Sequence, residues 1–93
     1  NLARTLEVLA GIASLLEHEQ YSFQEVGLAS ELYAFIVQQT DDNHHIHVRA
    51  LDRLAALQEH LTAADYAAFT SRGRRAGLAD IISRIQALGN ESV

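Results

Sequence analysis

Three of the chain's five histidines crowd into one short segment, Asp41-Asp42-Asn43-His44-His45-Ile46-His47. Imidazole nitrogens and carboxylate oxygens are the usual ligands of zinc and other divalent cations. If a helix begins at His44, then His44 and His47 stand three apart on one face, and Asp41 and His44 repeat that spacing. Asp41, His44 and His47 are therefore the metal candidates. The set lacks a third and fourth ligand at a recognised spacing, and no Glu-x-x-His pair recurs on two helices as a di-iron bundle requires. No closed metal site is expected, and no cofactor is implied. The plainer reading is a polar loop whose aspartates cap a helix and whose histidines are solvated, with proton sensing near neutral pH as its functional variant.

A second concentration of chemistry is basic. All seven cationic residues are Arg, and Arg72, Arg74 and Arg75 fall within Ser71–Gly77, with Arg84 shortly after. The preceding Leu61-Thr62-Ala63-Ala64-Asp65-Tyr66-Ala67-Ala68-Phe69 has the look of the first helix of a helix-turn-helix unit, whose arginines would then meet phosphates. The stretch from Phe69 to Leu78 is too long and too rich in Gly and Arg for the tight turn of that motif. A net charge of −5 also repels a phosphate backbone. Nucleic acid is not the expected partner. Residues 1–45 hold seven acids and one Arg, and residues 46–93 hold five acids and six Arg. The arginine corner is thus matched to the acidic first half, either within one chain or between two copies.

The remaining motifs are sparse. His18-Glu19 echoes the His-Glu opening of histidine phosphoacceptor segments, but it falls at the end of a predicted helix, and the Lys-Gly that usually follows is missing in a chain with no Lys. His18 and His60 are better placed as surface residues near helix C-termini, where a cation is favoured. There is no Gly-rich phosphate loop and no nucleophile elbow. A non-enzymatic role is expected.

The elements that would position these residues are helical. Ala and Leu supply 28 of 93 residues and Pro is absent, a composition that favours helix over strand. Without Cys there is neither a disulfide scaffold nor a thiolate metal site. No apolar run reaches the roughly 20 residues of a bilayer span, and a cytoplasmic, bacterial origin fits the Arg-, Ala- and Leu-rich composition. The start at Asn1 reads as a trimmed, processed or excised domain.

Leu2, Leu6, Leu9, Ala13 and Leu16 form a helical seam over residues 2–19, with Val8, Ile12 and Leu15 as a second line beside it. Ser22 and Glu25 make a capping box, and Tyr21 with Val26 a hydrophobic staple, for a second helix to about Gln39. Its main face is Val26, Ala29, Tyr33 and Ile36; Leu28, Leu32 and Phe35 widen it. Thr40 to Asn43 break the pattern. A third helix is predicted over His44–His60, with Ala50, Leu51, Leu54, Leu57 and Leu61 on one face. Thr62 and Asp65 cap a fourth from Ala63.

Tyr66 and Phe69 would lie about a third of a turn away from Leu78, Ile81, Ile82, Ile85 and Leu88 on one continuous helix. A break between Arg72 and Gly77, near Gly73, brings the two faces to a common core. Gly89 is placed as a C-cap, and residues 90–93 as a frayed tail. The reading is a single all-α domain over residues 1–93, a bundle of four to five short helices.

Two apolar lines on each of the first two helices exceed what a few short neighbours can cover. Leu6, Val8, Leu9, Ile12, Leu15, Leu28, Leu32 and Phe35 are accordingly the interface candidates. The expected partner is a second copy in a homodimer, or another helical protein.

Overall fold

The computed structural model describes residues 2–19, 23–41 and 44–91, with the backbone alone for residues 2, 19 and 88–91. Five helices are found among them: α1 (Leu2–Glu19), α2 (Phe23–Gln39), α3 (His45–Gln58), α4 (Ala63–Arg75) and α5 (Leu78–Glu91). The chain is an all-α bundle arranged around α2. Every residue from Val26 to Ile36 is buried, and α1, α3, α4 and α5 all pack on this one helix.

The core follows from that arrangement. Leu6, Leu9 and Ala13 of α1, Ile46, Ala50, Leu54 and Leu57 of α3, and Ile81 of α5 close over Leu28, Leu32, Phe35 and Ile36 of α2. Leu51, assigned to the same face as Ala50, is exposed instead. One residue is a 100° step around a helix, and the core side of α3 is filled by Ile46, Ala50, Leu54 and Leu57.

Local signals fix most boundaries. Thr62 is extended at φ −68°, ψ 159°, and its side chain accepts the Asp65 amide at 3.1 Å, which starts α4 at Ala63. His44, at φ −87°, ψ 128°, is the N-cap of α3 rather than its first residue. α3 ends at Gln58, two residues before the expected His60, in a tightened turn: Glu59 donates to Ala56 O and His60 to Leu57 O. The Ser22 cap and the Tyr21 staple lie outside the described residues, as do Asp42 and Asn43.

The break between the last two helices falls at Ala76 and Gly77, inside the expected Arg72–Gly77 interval. Ala76 is extended at ψ 147°, and the Asp80 carboxylate accepts the Gly77 amide at 3.1 Å. Gly73 is not part of the break. It sits inside α4 against the Glu31 carbonyl and the Ala34 methyl of α2, where a Cβ would run into backbone. One turn earlier, Gly27 of α2 leaves room for the Phe69 ring. Gly89 is not a cap either: α5 continues through it to Glu91. A helical Gly costs only about 1 kcal/mol relative to Ala, which α5 absorbs without reversing.

These contacts predict the behaviour of Gly73. An added methyl gains at most ~1 kcal/mol of helix propensity, whereas overpacking costs about 1–3 kcal/mol. Backbone on the far side cannot step aside as a side chain would. Gly73→Ala is expected to lower the Tm in thermal denaturation; a Tm at or above the parent's means that α4 slides freely on α2.

Candidate functional site

Of the histidine corner, His47 is built into the fold, while Asp41 and His45 stay exposed. Thr40, at the end of α2, donates its hydroxyl proton to Ile36 O at 2.7 Å. The same oxygen lies 3.0 Å from His47 Nδ1. Because the single hydroxyl proton is already committed, the imidazole donates, and His47 carries its hydrogen on Nδ1. His47 is 7% exposed and sits among the buried residues of α3. His44 Nδ1 accepts the Ile46 amide at 3.2 Å as the helix cap, and its ring stacks on His45 with centroids 5.1 Å apart. Asp41 O accepts the His44 amide at 3.0 Å. Both Nδ1 atoms are thus spent on structure, and among the described residues no group of three His, Cys, Asp or Glu side chains is placed to hold a metal.

The arginine corner is divided. Arg72, itself exposed, and the half-buried Arg84 bring their Nη1 atoms to 3.5 and 3.3 Å from Glu31 Oε1. Arg75 Nε reaches back to Ser71 O at 3.4 Å, and Arg74 is exposed. Two of the four guanidinium groups that a phosphate contact would use therefore face a buried carboxylate of α2.

The interface candidates separate just as sharply. Leu6, Leu9, Leu28, Leu32 and Phe35 are buried inside the single chain. The second line of α2 is covered by the neighbours of that helix and leaves no surface. Val8 and Leu15 remain 57% and 63% exposed, and Ile12 is half-buried. Among the described residues, Val48 and Leu51 of α3, Phe23 of α2 and Ile82 of α5 are the other large apolar side chains in solvent.

Two charged clusters were not legible as sites. In the first, Glu17 of α1 is 4% exposed and takes four hydrogen bonds. Tyr33 of α2 donates to Oε2 at 2.5 Å, and Arg53 of α3 clamps both oxygens, with Nη2 at 2.6 Å and Nε at 3.0 and 3.3 Å. Burial, followed by the Glu17 hydrogen bond and charge, holds the Tyr33 phenol far above its ordinary value. The hydrogen bond to Glu17 likewise raises Arg53. This cluster locks three helices together and offers no open ligand position.

The second cluster is open. Glu31 is 4% exposed, and burial pushes its carboxyl up from the ordinary value of 4.5, with Arg84 and then Arg72 pulling it partly back. The arginines reach Glu31 by charge but not by alignment: neither Glu31 Oε1 nor Arg84 Nη1 has a hydrogen-bond partner, although both atoms are buried. The Glu31 and Arg84 side chains border a recess of ≈ 330 Å³ between α2, α4 and α5, walled by Phe23, Leu28 and Phe69. The Phe23 and Phe69 rings stand 5.3 Å apart at 58°, and the Arg72 guanidinium lies 5.6 Å from the Phe69 centroid.

No protein family, curated protein or solved structure matches the chain.

Two measurements follow from the clusters. Tyr33→Phe leaves a buried carboxylate one donor short, which costs about 1–3 kcal/mol; urea denaturation should show that loss, and an unchanged midpoint would mean that Arg53 alone satisfies Glu17.

At Glu31 the folded state holds the proton more tightly than the unfolded state, so the stabilising contribution of protonation is complete below 4.5 and disappears as pH rises through the raised folded value. The unfolding free energy of the parent minus that of Glu31→Gln should therefore fall as pH increases from below 4.5 toward neutrality. A difference that rises instead would mean that the two arginines outweigh burial.

Proposed function

We propose that this chain is a non-enzymatic helical interaction module that self-associates, pairing two copies through the outer face of α1. The observation that supports the reading is Gly11. It stands in mid-helix between Val8 and Leu15, at steps of three and four that place all three on one line. Gly there weakens the helix by roughly 0.5–1 kcal/mol relative to Ala, and nothing in the fold lies within 4 Å of where a Cβ would stand. No neighbour within the chain needs the missing side chain. A second helix laid across α1 would, because Gly between two exposed apolar residues lets backbones approach closely.

A two-fold axis near Gly11 sets Val8 and Leu15 of one copy against the same residues of the other. Burying those four side chains contributes at most about 6–12 kcal/mol. Association itself costs an estimated 4–15 kcal/mol. The balance describes a reversible dimer of modest affinity, suited to regulation by concentration or by a competing helical partner. Arg72 and Arg84 are turned toward Glu31, which favours this reading over phosphate binding.

Light scattering across a micromolar concentration series tests it. The parent mass should rise toward twice the 10.2 kDa of the chain, and Val8→Glu or Leu15→Glu should hold it at the monomer value without loss of helicity, since both side chains are exposed. Gly11→Ala should weaken association while raising the Tm of dilute protein. A parent mass that never rises, or a dimer indifferent to all three substitutions, overturns the α1 interface.

A further inference from the structure

We propose that the recess between α2, α4 and α5 binds an aromatic carboxylate, a single ring that carries its acid group directly or on the next carbon. None of the described residues that line it belongs to α1, so this site does not depend on self-association.

The charged groups of the recess divide by access. Glu31 Oε1 and Arg84 Nη1 are buried and face each other at 3.3 Å. They compensate one another and are closed to a ligand. Arg72 is the surplus cation. Its Nη1 comes no nearer to the same carboxylate than 3.5 Å, 52% of its side chain is open to solvent, and it lines the recess. Among the described residues it has no aligned acceptor, so the guanidinium keeps N–H donors for an incoming one.

Charge narrows the class. Glu31, Arg72 and Arg84 are the charged residues lining the recess, and they leave one net positive charge in a chain of net −5. A carboxylate matches that surplus as a monoanion, and its two oxygens fit the guanidinium fork. A phosphate dianion brings a second charge that only Arg84 can answer, at the expense of the buried Glu31. A cation is repelled.

The walls select the rest of the ligand. Phe23 and Phe69 stand with centroids 5.3 Å apart, beside Leu28. Phe23 is 58% exposed, and a third ring laid against it would cover it. Aromatic rings gain from tilted or offset contact beyond the area they bury, so an aromatic ligand fits better than a saturated ring of the same size. The Arg72 guanidinium lies 5.6 Å from the Phe69 centroid, which sets the cation directly beside the aromatic wall. The acid group must therefore stand close to its ring. The volume, ≈ 330 Å³, is at the lower end of the ~300–1,000 Å³ of small-molecule pockets, room for one ring with one substituent.

Protein-observed NMR titration with phenylacetate tests the assignment. Saturable shifts are expected at the amides of Leu28, Phe69 and Ala87. Phenylacetamide keeps the shape without the charge and should bind about tenfold more weakly or worse. Cyclohexylacetate keeps the charge without the aromatic face and should bind several-fold more weakly. Arg72→Gln should remove saturation with helicity retained, whereas Arg74→Gln, at an exposed arginine outside the recess, should leave binding unchanged. Phe23→Ala should weaken binding. Equal binding of phenylacetate and phenylacetamide would reduce the recess to an apolar notch and overturn the proposal. Equal weakening by Arg72→Gln and Arg74→Gln would make the attraction one of diffuse charge and overturn it too. Tighter binding of inorganic phosphate than of phenylacetate, or no saturable shift with phenylacetate, would likewise sink it.

Discussion

A helix buried on every side must bring its polar groups inside with it. From Val26 to Ile36, α2 has no solvent face, yet that span contains Ser30, Glu31 and Tyr33. Each needs a partner within the bundle, and each need shapes a different part of the fold. Ser30 finds its partner at home, donating to Val26 O at 2.9 Å on the preceding turn. Tyr33 requires an acceptor, which draws the Glu17 carboxylate of α1 into the interior. That carboxylate requires a cation, which sets the position of Arg53 and with it α3. Glu31 requires compensation on the other side, and Arg72 of α4 and Arg84 of α5 provide it. Four outer helices are thus oriented by two residues of the central one.

This arrangement accounts for the charge asymmetry of the sequence. The acidic first half and the basic second half meet within one chain, at Glu17–Arg53 and at Glu31 with Arg72 and Arg84. Buried ion pairs rarely add much net stability, because desolvation offsets attraction. Their value here is geometric: an apolar seam can slip by a turn, whereas a carboxylate that must meet a guanidinium cannot. The glycines act in the same sense. Gly27 and Gly73 let α4 approach α2 closely enough for Phe69 and Arg72 to reach their places.

How far the sequence reveals this depends on what each signal encodes. Helix boundaries rest on local chemistry, and the Thr62 cap is legible because its cause lies within a few residues. The break between Arg72 and Gly77 is legible instead from the phase offset between the two apolar faces, which does not place it at Ala76 and Gly77. Apolar periodicity tells how much of a helix is covered but not by which chain. Leu28, Leu32 and Phe35 therefore read equally well as a dimer face and as a buried interior. They are interior, since α4 and α5 fold back over the side of α2 that α1 and α3 leave open. His47 misleads for the opposite reason. A histidine among Asp and Asn looks solvated, but the Thr40 hydroxyl that receives it lies seven residues away, at the end of another helix. The Glu31 recess was illegible altogether, since it unites side chains from three helices whose contacts no local pattern records.

The two buried carboxylates end up in contrasting states, and the contrast separates scaffold from site. Glu17 has aligned donors on both oxygens, supplied by a phenol with a single torsional freedom and by a bidentate guanidinium. Nothing further can be added to it without breaking something. Glu31 is compensated by two arginines that approach at 3.3 and 3.5 Å without aligning, each extended from a helix anchored elsewhere. Arg72 is held over Phe69 at 5.6 Å, and α4 cannot move closer because Gly73 is already against the Glu31 carbonyl. The backbone contact that brings Arg72 near Glu31 also stops it short. A charge pair held slightly apart by packing compensates the carboxylate without aligning to it, and it lies beside the one recess with aromatic walls among those described.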